Sequence, residues 1–233
     1  MRRKSLLLVA AASLFGAVGL KGQGLTSKVS VATSLKPRPH VTITNNYSSP
    51  LSGLVVIMST AAAPQKAVET VWYDSGLSFT HNPPLGSGQS YSFPVGPADQ
   101  APNLQPHLLA VGFQDGESFG DRHWLSELHA RRVSADEEIR AVTALLNQAL
   151  AQRESEAEVL SALKTTRGSL AASVPDVWPR MAAEFVIDWT TANLERAGLV
   201  GDIGDPRKTI PLVILPWFSR WHAALRRSDP SIK

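Results

Sequence analysis

The chain has 233 residues and no cysteine, and 43% of its residues are hydrophobic while 18% are charged. This composition is typical of a globular protein and excludes an intrinsically disordered chain, which has few apolar residues and a high net charge. The lack of cysteine excludes a disulfide framework, a thiolate metal site, a cysteine nucleophile and a lipid-modified cysteine. We therefore expect a fold that is stabilised by its hydrophobic core alone.

The first twenty residues have the features of a secretory signal peptide. Three basic residues at positions 2–4 precede an apolar run at positions 6–20. We expect an exported protein, periplasmic or extracellular, that begins near Lys21; an uncleaved, anchoring segment is the alternative, because no clear cleavage motif is present. Removing the three basic residues of the leader from the 23 leaves 20, which equals the 20 acidic residues. A global attraction to nucleic acid is therefore not expected.

Short apolar segments separated by turn residues predict an antiparallel immunoglobulin-like β-sandwich at positions 21–120. Strands are predicted at positions 28–32, 40–44, 53–58, 68–73, 89–93 and 108–113. The third of these segments is apolar throughout, which predicts a strand in the centre of a sheet. Positions 45–50 and the pair Asp115-Gly116 predict turns, the second of them a tight turn or hairpin.

The composition changes at Asp121, and an α-helical region is expected at positions 121–233, so the predicted fold class is α+β. Apolar residues at helical spacing, with Asp121 as N-cap, predict one long helix at about positions 121–153. Arg132 interrupts the apolar stripe of this helix. We expect its charged end to extend out to solvent while its stem stays on the apolar surface.

Three further helices are predicted downstream. The first spans positions 154–166 and ends near Gly168, and the second spans positions 179–197, where Met181, Phe185 and Trp189 recur every four residues. The last begins at about Pro216. Positions 198–206 between them are predicted to be a linker, because they lack the ligand pattern of a calcium loop.

Local motifs for catalysis or metal binding are not apparent, and no cofactor or metal is predicted. The nearest approach to a ligand pair is His123 with Glu127, which we interpret as a solvated pair near a helix start. The glycine-rich positions 85–90 match neither a nucleophile elbow nor a phosphate loop and are predicted to be a turn. The acidic residues at positions 136–138, 154, 156 and 158 are interpreted as solvated helix faces rather than paired catalytic carboxylates.

The C-terminal segment at positions 206–233 contains six basic residues and one acidic residue. Its helix would carry aromatic and apolar residues on one side and arginines on the other. We favour an apolar side that closes the helical core; the alternative is a helix that lies in a membrane interface and attracts anionic headgroups. The possible interaction surface comprises Trp217, Phe218, Trp221, Leu225, Arg220, Arg226 and Arg227.

The sequence Val-Gly-Phe-Gln-Asp-Gly-Glu-Ser-Phe-Gly-Asp at positions 111–121, followed by Trp124 and by Arg131-Arg132, resembles a group of exported bacterial proteins, mostly uncharacterised. In these an immunoglobulin-like sheet domain ends in a strand, an Asp-Gly turn and a Gly-Asp entry to a helical tail. The resemblance covers about positions 41–132 and implies a fold and export, but no catalytic residue. Phe119 and Trp124 are expected to hold the helix start against the sheet edge.

These patterns favour an exported, non-enzymatic envelope protein that acts as a protein-binding or structural module, with another envelope protein as its partner. One alternative is a secreted hydrolase or glycan-active accessory protein that draws acid and base groups from His107, His123, Glu127 or the acidic helix faces. Another is association with a membrane surface through the C-terminal helix.

Overall fold

The computed structural model describes residues 23–34, 40–60, 63–78, 83–95, 104–198 and 206–232. The predicted signal peptide at positions 1–20 lies outside the described residues, and so does most of the predicted linker, at positions 199–205. A short helix, α1 (Gln23–Lys28), precedes the strands.

Two antiparallel sheets and a set of helices make this an α+β protein. The three-stranded sheet has the order β1-β2-β5 and contains β1 (Val29–Ser34), β2 (His40–Asn45) and β5 (Ser90–Pro94). The four-stranded sheet has the order β4-β3-β6-β7 and contains β3 (Leu51–Thr60), β4 (Ala63–Asp74), β6 (Leu104–Phe113) and β7 (Ser118–Gly120). The six predicted strands are all present, and the third lies in the sheet interior, as predicted.

Strand β3 is apolar at positions 53–58 because both of its faces are covered. Leu54 and Val56 share a core with Val41 and other residues of the three-stranded sheet, so the two sheets pack on each other. Val55 and Ile57, on the opposite face, pack with the start of the long helix. Alternation of side chains across a strand explains why an uninterrupted apolar run was needed here.

The turn predicted at Asp115-Gly116 is a hairpin between β6 and β7. Gly116 has a φ of 87°, a left-handed conformation that glycine adopts without steric cost. The Phe113 N–H donates to the Glu117 carbonyl at 2.9 Å, and the Glu117 N–H donates to Asp115 Oδ1 at 3.1 Å. Strand β7 has only three residues, which is too short for an alternation signal, so the sequence did not predict it.

The helices are α2 (Arg122–Gln152), α3 (Glu156–Ser173), α4 (Val177–Gly198), α5 (Pro206–Thr209), a π-helical turn (Ile210–Ile214) and α6 (Leu215–Ser228). Helix α2 confirms the predicted long helix, and the Asp121 side chain caps it by accepting from the His123 N–H at 2.8 Å. The predicted end of α3 near Gly168 was wrong. A capping box of Ser155 and Glu158 at its start, and the buried Leu170 beyond Gly168, outweigh the cost of about 1 kcal/mol for a helical glycine.

The last helix, α6, begins at Leu215, within one residue of its predicted start at Pro216. Helix α5 and the π-helical turn, which the sequence did not predict, extend the helical segment back to Pro206. Proline lacks an N–H and is tolerated where a helical segment begins. Pro211 is the second residue of the π-helical turn, and Pro216 is the second residue of α6. Neither proline therefore ends the helical segment.

The face of helix α4 that packs in the core is not the one predicted from the spacing of Met181, Phe185 and Trp189. Met181 and Phe185 are 38% and 45% exposed, whereas the small residues Ala182 and Ala183 are buried. Small side chains let α4 lie close along α2, and this close packing decides the orientation. Trp189 is partly buried and stacks on Trp217 of α6, with ring centroids 5.1 Å apart.

Trp124 holds the start of α2 on the face of the four-stranded sheet, not on its edge as predicted. Its side chain packs with Val55, Ile57 and Ala110 in a small cluster on the outer side of that sheet. Phe119 instead joins the core between the sheets, where its ring lies 6.1 Å from that of Phe113.

Arg132 is buried, which corrects the prediction that its charged end reaches solvent. Its side chain and that of Asp74 are each only 4% exposed, and Nε donates to both Asp74 carboxylate oxygens at 3.1 Å. Nη1 donates to the Ser228 carbonyl at 2.6 Å and Nη2 to the Ser52 carbonyl at 2.9 Å. The guanidinium therefore joins β3, the end of β4, α2 and the end of α6.

Backbone hydrogen bonds and a glycine next to the ion pair allow it to be buried. The Asp74 carboxylate also accepts from the backbone N–H groups of Gly76 and Leu77, at 2.9 and 3.3 Å. Gly53 of β3 faces the pair, and a Cβ there would overlap the Arg132 guanidinium and lie 2.9 Å from Leu128. The missing side chain thus makes the space in which the guanidinium lies.

We expect Arg132→Met to lower the free energy of unfolding by about 3–5 kcal/mol, because it leaves the Asp74 carboxylate buried without a cation. Denaturant unfolding measures this change. The control is Arg122→Met, at the exposed start of the same helix, for which a change within about 0.5 kcal/mol is expected. Adding Asp74→Asn to Arg132→Met should recover part of the loss. Equal effects of the two methionine substitutions would contradict a structural role for the pair.

Candidate functional site: a groove between α2 and α6

Helices α2 and α6 form the walls of an open groove of about 590 Å³. Apolar side chains from both helices form part of its lining, and polar side chains complete it. The lining residues are Ile139, Arg140, Thr143, Ala144, Asn147, Leu215, Phe218, Ser219 and His222. The groove therefore combines an apolar surface with an arginine and a histidine.

Asp136 contacts both the arginine and the histidine of this groove. Its side chain is only 4% exposed, its Oδ1 is in hydrogen-bond contact with Nδ1 of His222, and its Oδ2 is 2.6 Å from Nη2 of Arg140. Arg140 lies four residues after Asp136, one turn along the same face of α2, which is the favoured spacing for a helical ion pair. One buried carboxylate thus orients a side chain from each wall.

The arrangement places polar groups of both helices at an accessible surface. Nδ1 of His222 contacts Asp136, and Nε2 is the second polar atom of the ring. The Arg140 side chain is 55% exposed, and its guanidinium has five N–H donors in a planar fork. An exposed arginine beside apolar side chains forms a site suited to an anionic group such as a carboxylate.

Ser219 lies in the groove one turn before His222 on α6, so the site contains a serine, a histidine and an aspartate. The hydroxyl of Ser219 donates to the Leu215 carbonyl at 3.1 Å. A nucleophilic serine must instead donate its proton to the histidine. The geometry therefore favours binding over acyl transfer.

The acidic residues at positions 136–138 were interpreted as a solvated face, and this was wrong for two of the three. Asp136 and Glu138 are buried, and only Glu137 is exposed. The prediction assumed one solvent face for α2, but this helix packs against a sheet, α4 and α6. A helix enclosed on several sides has no single polar face.

The residues proposed for catalysis do not come together. His123 is exposed and its ring packs against Trp124, with centroids 5.3 Å apart, while His107 Nε2 pairs with the Ser59 hydroxyl at 2.8 Å. Glu127 lies beside Arg131, to which it supplies a favourable electrostatic interaction. Within the described ranges, no group of three or more metal-ligating side chains is present.

Arg131 has a structural role that the sequence did not reveal. Its guanidinium lies 4.2 Å from the centroid of the Trp72 ring, and that ring also packs with Trp124 and Trp178. Burial lowers the pKa of Arg131 to about 10. The cluster joins β4, α2 and α4, so the two adjacent arginines of α2 both serve the junction between sheet and helices.

Of the predicted interaction surface, three residues are directed into the helical core. Phe218, Trp221 and Leu225 are buried, whereas Trp217 is partly buried and the three arginines at positions 220, 226 and 227 are exposed. The interpretation that this helix closes the core agrees with this packing. Binding by the remaining surface stays a prediction.

The chain matches no family model, and comparisons with curated proteins and with solved structures found no similar chain. The resemblance to exported bacterial proteins therefore stays a prediction. None of the described helices has the length and apolarity that a membrane span requires.

The buried Glu138 should make stability depend on pH. Burial raises its pKa above the ordinary value of 4.5, so the folded state holds this proton more tightly than the unfolded state does. Stability contributed by the protonated form is lost as the pH rises from about 4.5 through the raised pKa. We expect Glu138→Gln to avoid this loss, so its free energy of unfolding should exceed that of the wild type near neutral pH, with the difference vanishing in acid.

Urea unfolding at a series of pH values measures this effect. The matched control is Glu137→Gln, which changes the exposed neighbour on the same helix. If both substitutions give the same pH profile, the titration of Glu138 does not contribute to stability.

Proposed function

We propose that the chain is an exported, non-enzymatic binding protein whose α2/α6 groove holds an acidic segment of another envelope protein. The observation that carries this proposal is the buried Asp136 carboxylate, which orients both His222 and Arg140 at the groove. Export is proposed from the leader sequence.

The donors of the groove suit a carboxylate. An arginine fork can donate two parallel hydrogen bonds to a carboxylate, and such charge-assisted bonds are stronger than neutral ones. Asp136 pairs with Nη2 of Arg140, and the Arg140 side chain is 55% exposed, so its guanidinium is accessible at the groove. A carboxylate bound here accepts from Arg140.

The apolar part of the groove suits a peptide rather than a small anion. Ile139, Leu215 and Phe218 lie beside the polar groups and offer contacts to aliphatic side chains. Mostly apolar clefts with a few oriented polar groups are typical binding sites. The expected ligand is therefore a segment in which an acidic residue neighbours apolar ones.

We also propose that the sheet region is an immunoglobulin-like sandwich that supports this binding site. The first, second and fifth strands form one sheet, the third, fourth, sixth and seventh form the other, and the two share a core. This division supports an immunoglobulin-type arrangement, except that the fourth strand pairs with the third. Such sandwiches occur in many proteins whose role is to bind other molecules.

A paired peptide array tests the binding function. Each member that contains Asp or Glu beside apolar residues has a twin with Asn or Gln. We expect the exported chain to be retained on acidic members and not on their twins, and Arg140→Gln to weaken retention by about tenfold or more, since a charge-assisted bond contributes about 1.5–3 kcal/mol.

Arg122→Gln, which removes an exposed arginine near the start of the same helix, is the matched control and should bind like the wild type. Equal retention on acidic and amide twins would show that the groove does not recognise a carboxylate. If Arg140→Gln and Arg122→Gln weakened peptide binding equally, the cause would be the change in net charge and not the loss of a contact in the groove.

A further inference from the structure

We propose that the outer face of the helical rod Pro206–Ser228 binds the surface of a membrane that contains anionic lipids. This rod comprises α5, the π-helical turn and α6. The proposal places lipid contact on residues of the π-helical turn, and not on the tryptophans at positions 217 and 221.

The tryptophan side of the rod is already occupied. Trp221 and Phe218 are buried in the helical core, and Trp217 stacks on Trp189 of α4. Lipid contact through these rings would require the core to open. A membrane-binding face must therefore lie on the opposite side of the rod.

The π-helical turn exposes apolar residues on that opposite side. Leu212 is 73% exposed and Val213 is 41% exposed, and Pro211 beside them is also exposed. The neighbours Ile210 and Ile214 are fully buried and fix the turn to the core. An apolar projection is thus held rigidly at the surface of the helical region.

The positive charge of the rod favours an anionic partner. Between positions 206 and 228 the sequence has five basic residues and no acidic residue. Arg207, Lys208 and Arg220 are exposed within two turns or so of Leu212, and Arg226 and Arg227 are exposed farther along α6. Asp229, which follows the rod, pairs with His129 at 2.6 Å.

An exposed apolar projection surrounded by cations complements an anionic bilayer. Apolar side chains enter the boundary between headgroups and acyl chains, while lysine and arginine attract the anionic headgroups. A uniformly cationic face suits a lipid surface because the headgroups supply negative charge all around the projection. The geometry points to a protein that lies on the membrane through this face.

Vesicle sedimentation of the expected exported chain, Lys21–Lys233, tests the proposal. One set of vesicles is made of phosphatidylcholine alone, and in the other about one lipid in four is phosphatidylglycerol. We expect binding to the anionic vesicles only, and a loss of about tenfold or more in affinity when salt rises from about 0.1 to about 0.5 M, because salt screens the headgroup charge.

Two pairs of variants separate the contributions. Leu212→Asn should weaken binding by about fivefold or more, while Val177→Asn, which changes another exposed apolar residue, on α4, should have no effect. Lys208→Gln with Arg220→Gln should weaken binding by about tenfold, while Arg122→Gln with Lys164→Gln should change it little. Circular dichroism confirms that each variant is folded.

Three results would overturn the proposal. Binding to neither kind of vesicle would leave the Leu212 face to a protein partner. Equal binding to both kinds would show that headgroup charge is not recognised. Equal effects of Leu212→Asn and Val177→Asn would show that the π-helical turn is not the contact.

Discussion

The buried ion pair between Arg132 and Asp74 fixes the position of the helices relative to the sheets. Two charges inside a protein are stable only when each is neutralised and hydrogen-bonded, so the groups around them have little freedom to move. Here the guanidinium also donates to the carbonyls of Ser52 and Ser228. Segments that are far apart in the sequence are therefore held at one point.

The groove follows from this geometry. Asp136 lies one helical turn after Arg132 on α2, and His222 lies six residues before Ser228 on α6. The contact of Arg132 with Ser228 and that of Asp136 with His222 are thus successive links between two antiparallel helices. The pair that anchors the helices to the sheet also aligns the side chains from which we infer binding.

Helix α6 has three different sides, and each has a different environment. Trp221 and Leu225 are in the core, His222 and Ser219 line the groove, and the arginines are at the outer surface. The proposed peptide site and the proposed membrane face therefore share one helix without sharing residues. A protein with these two surfaces would hold its partner close to a membrane.

The sequence by itself determined the order and approximate positions of six of the seven described strands and the limits of the long helix, because alternation, turn residues and capping depend on neighbours in the chain. It also indicated that β3 is central, since a continuous apolar run such as positions 53–58 is typical of a strand with both faces covered. It could not determine which face α4 turns inward, because the exposed Met181 and Phe185 and the buried Ala182 and Val186 are both apolar pairs four residues apart. The roles of Arg132 and Asp136 were decided only by the tertiary structure. Their partners, Asp74 and His222, are 58 and 86 residues away, and a charged side chain becomes suited to burial only when folding brings its counterpart within hydrogen-bond distance.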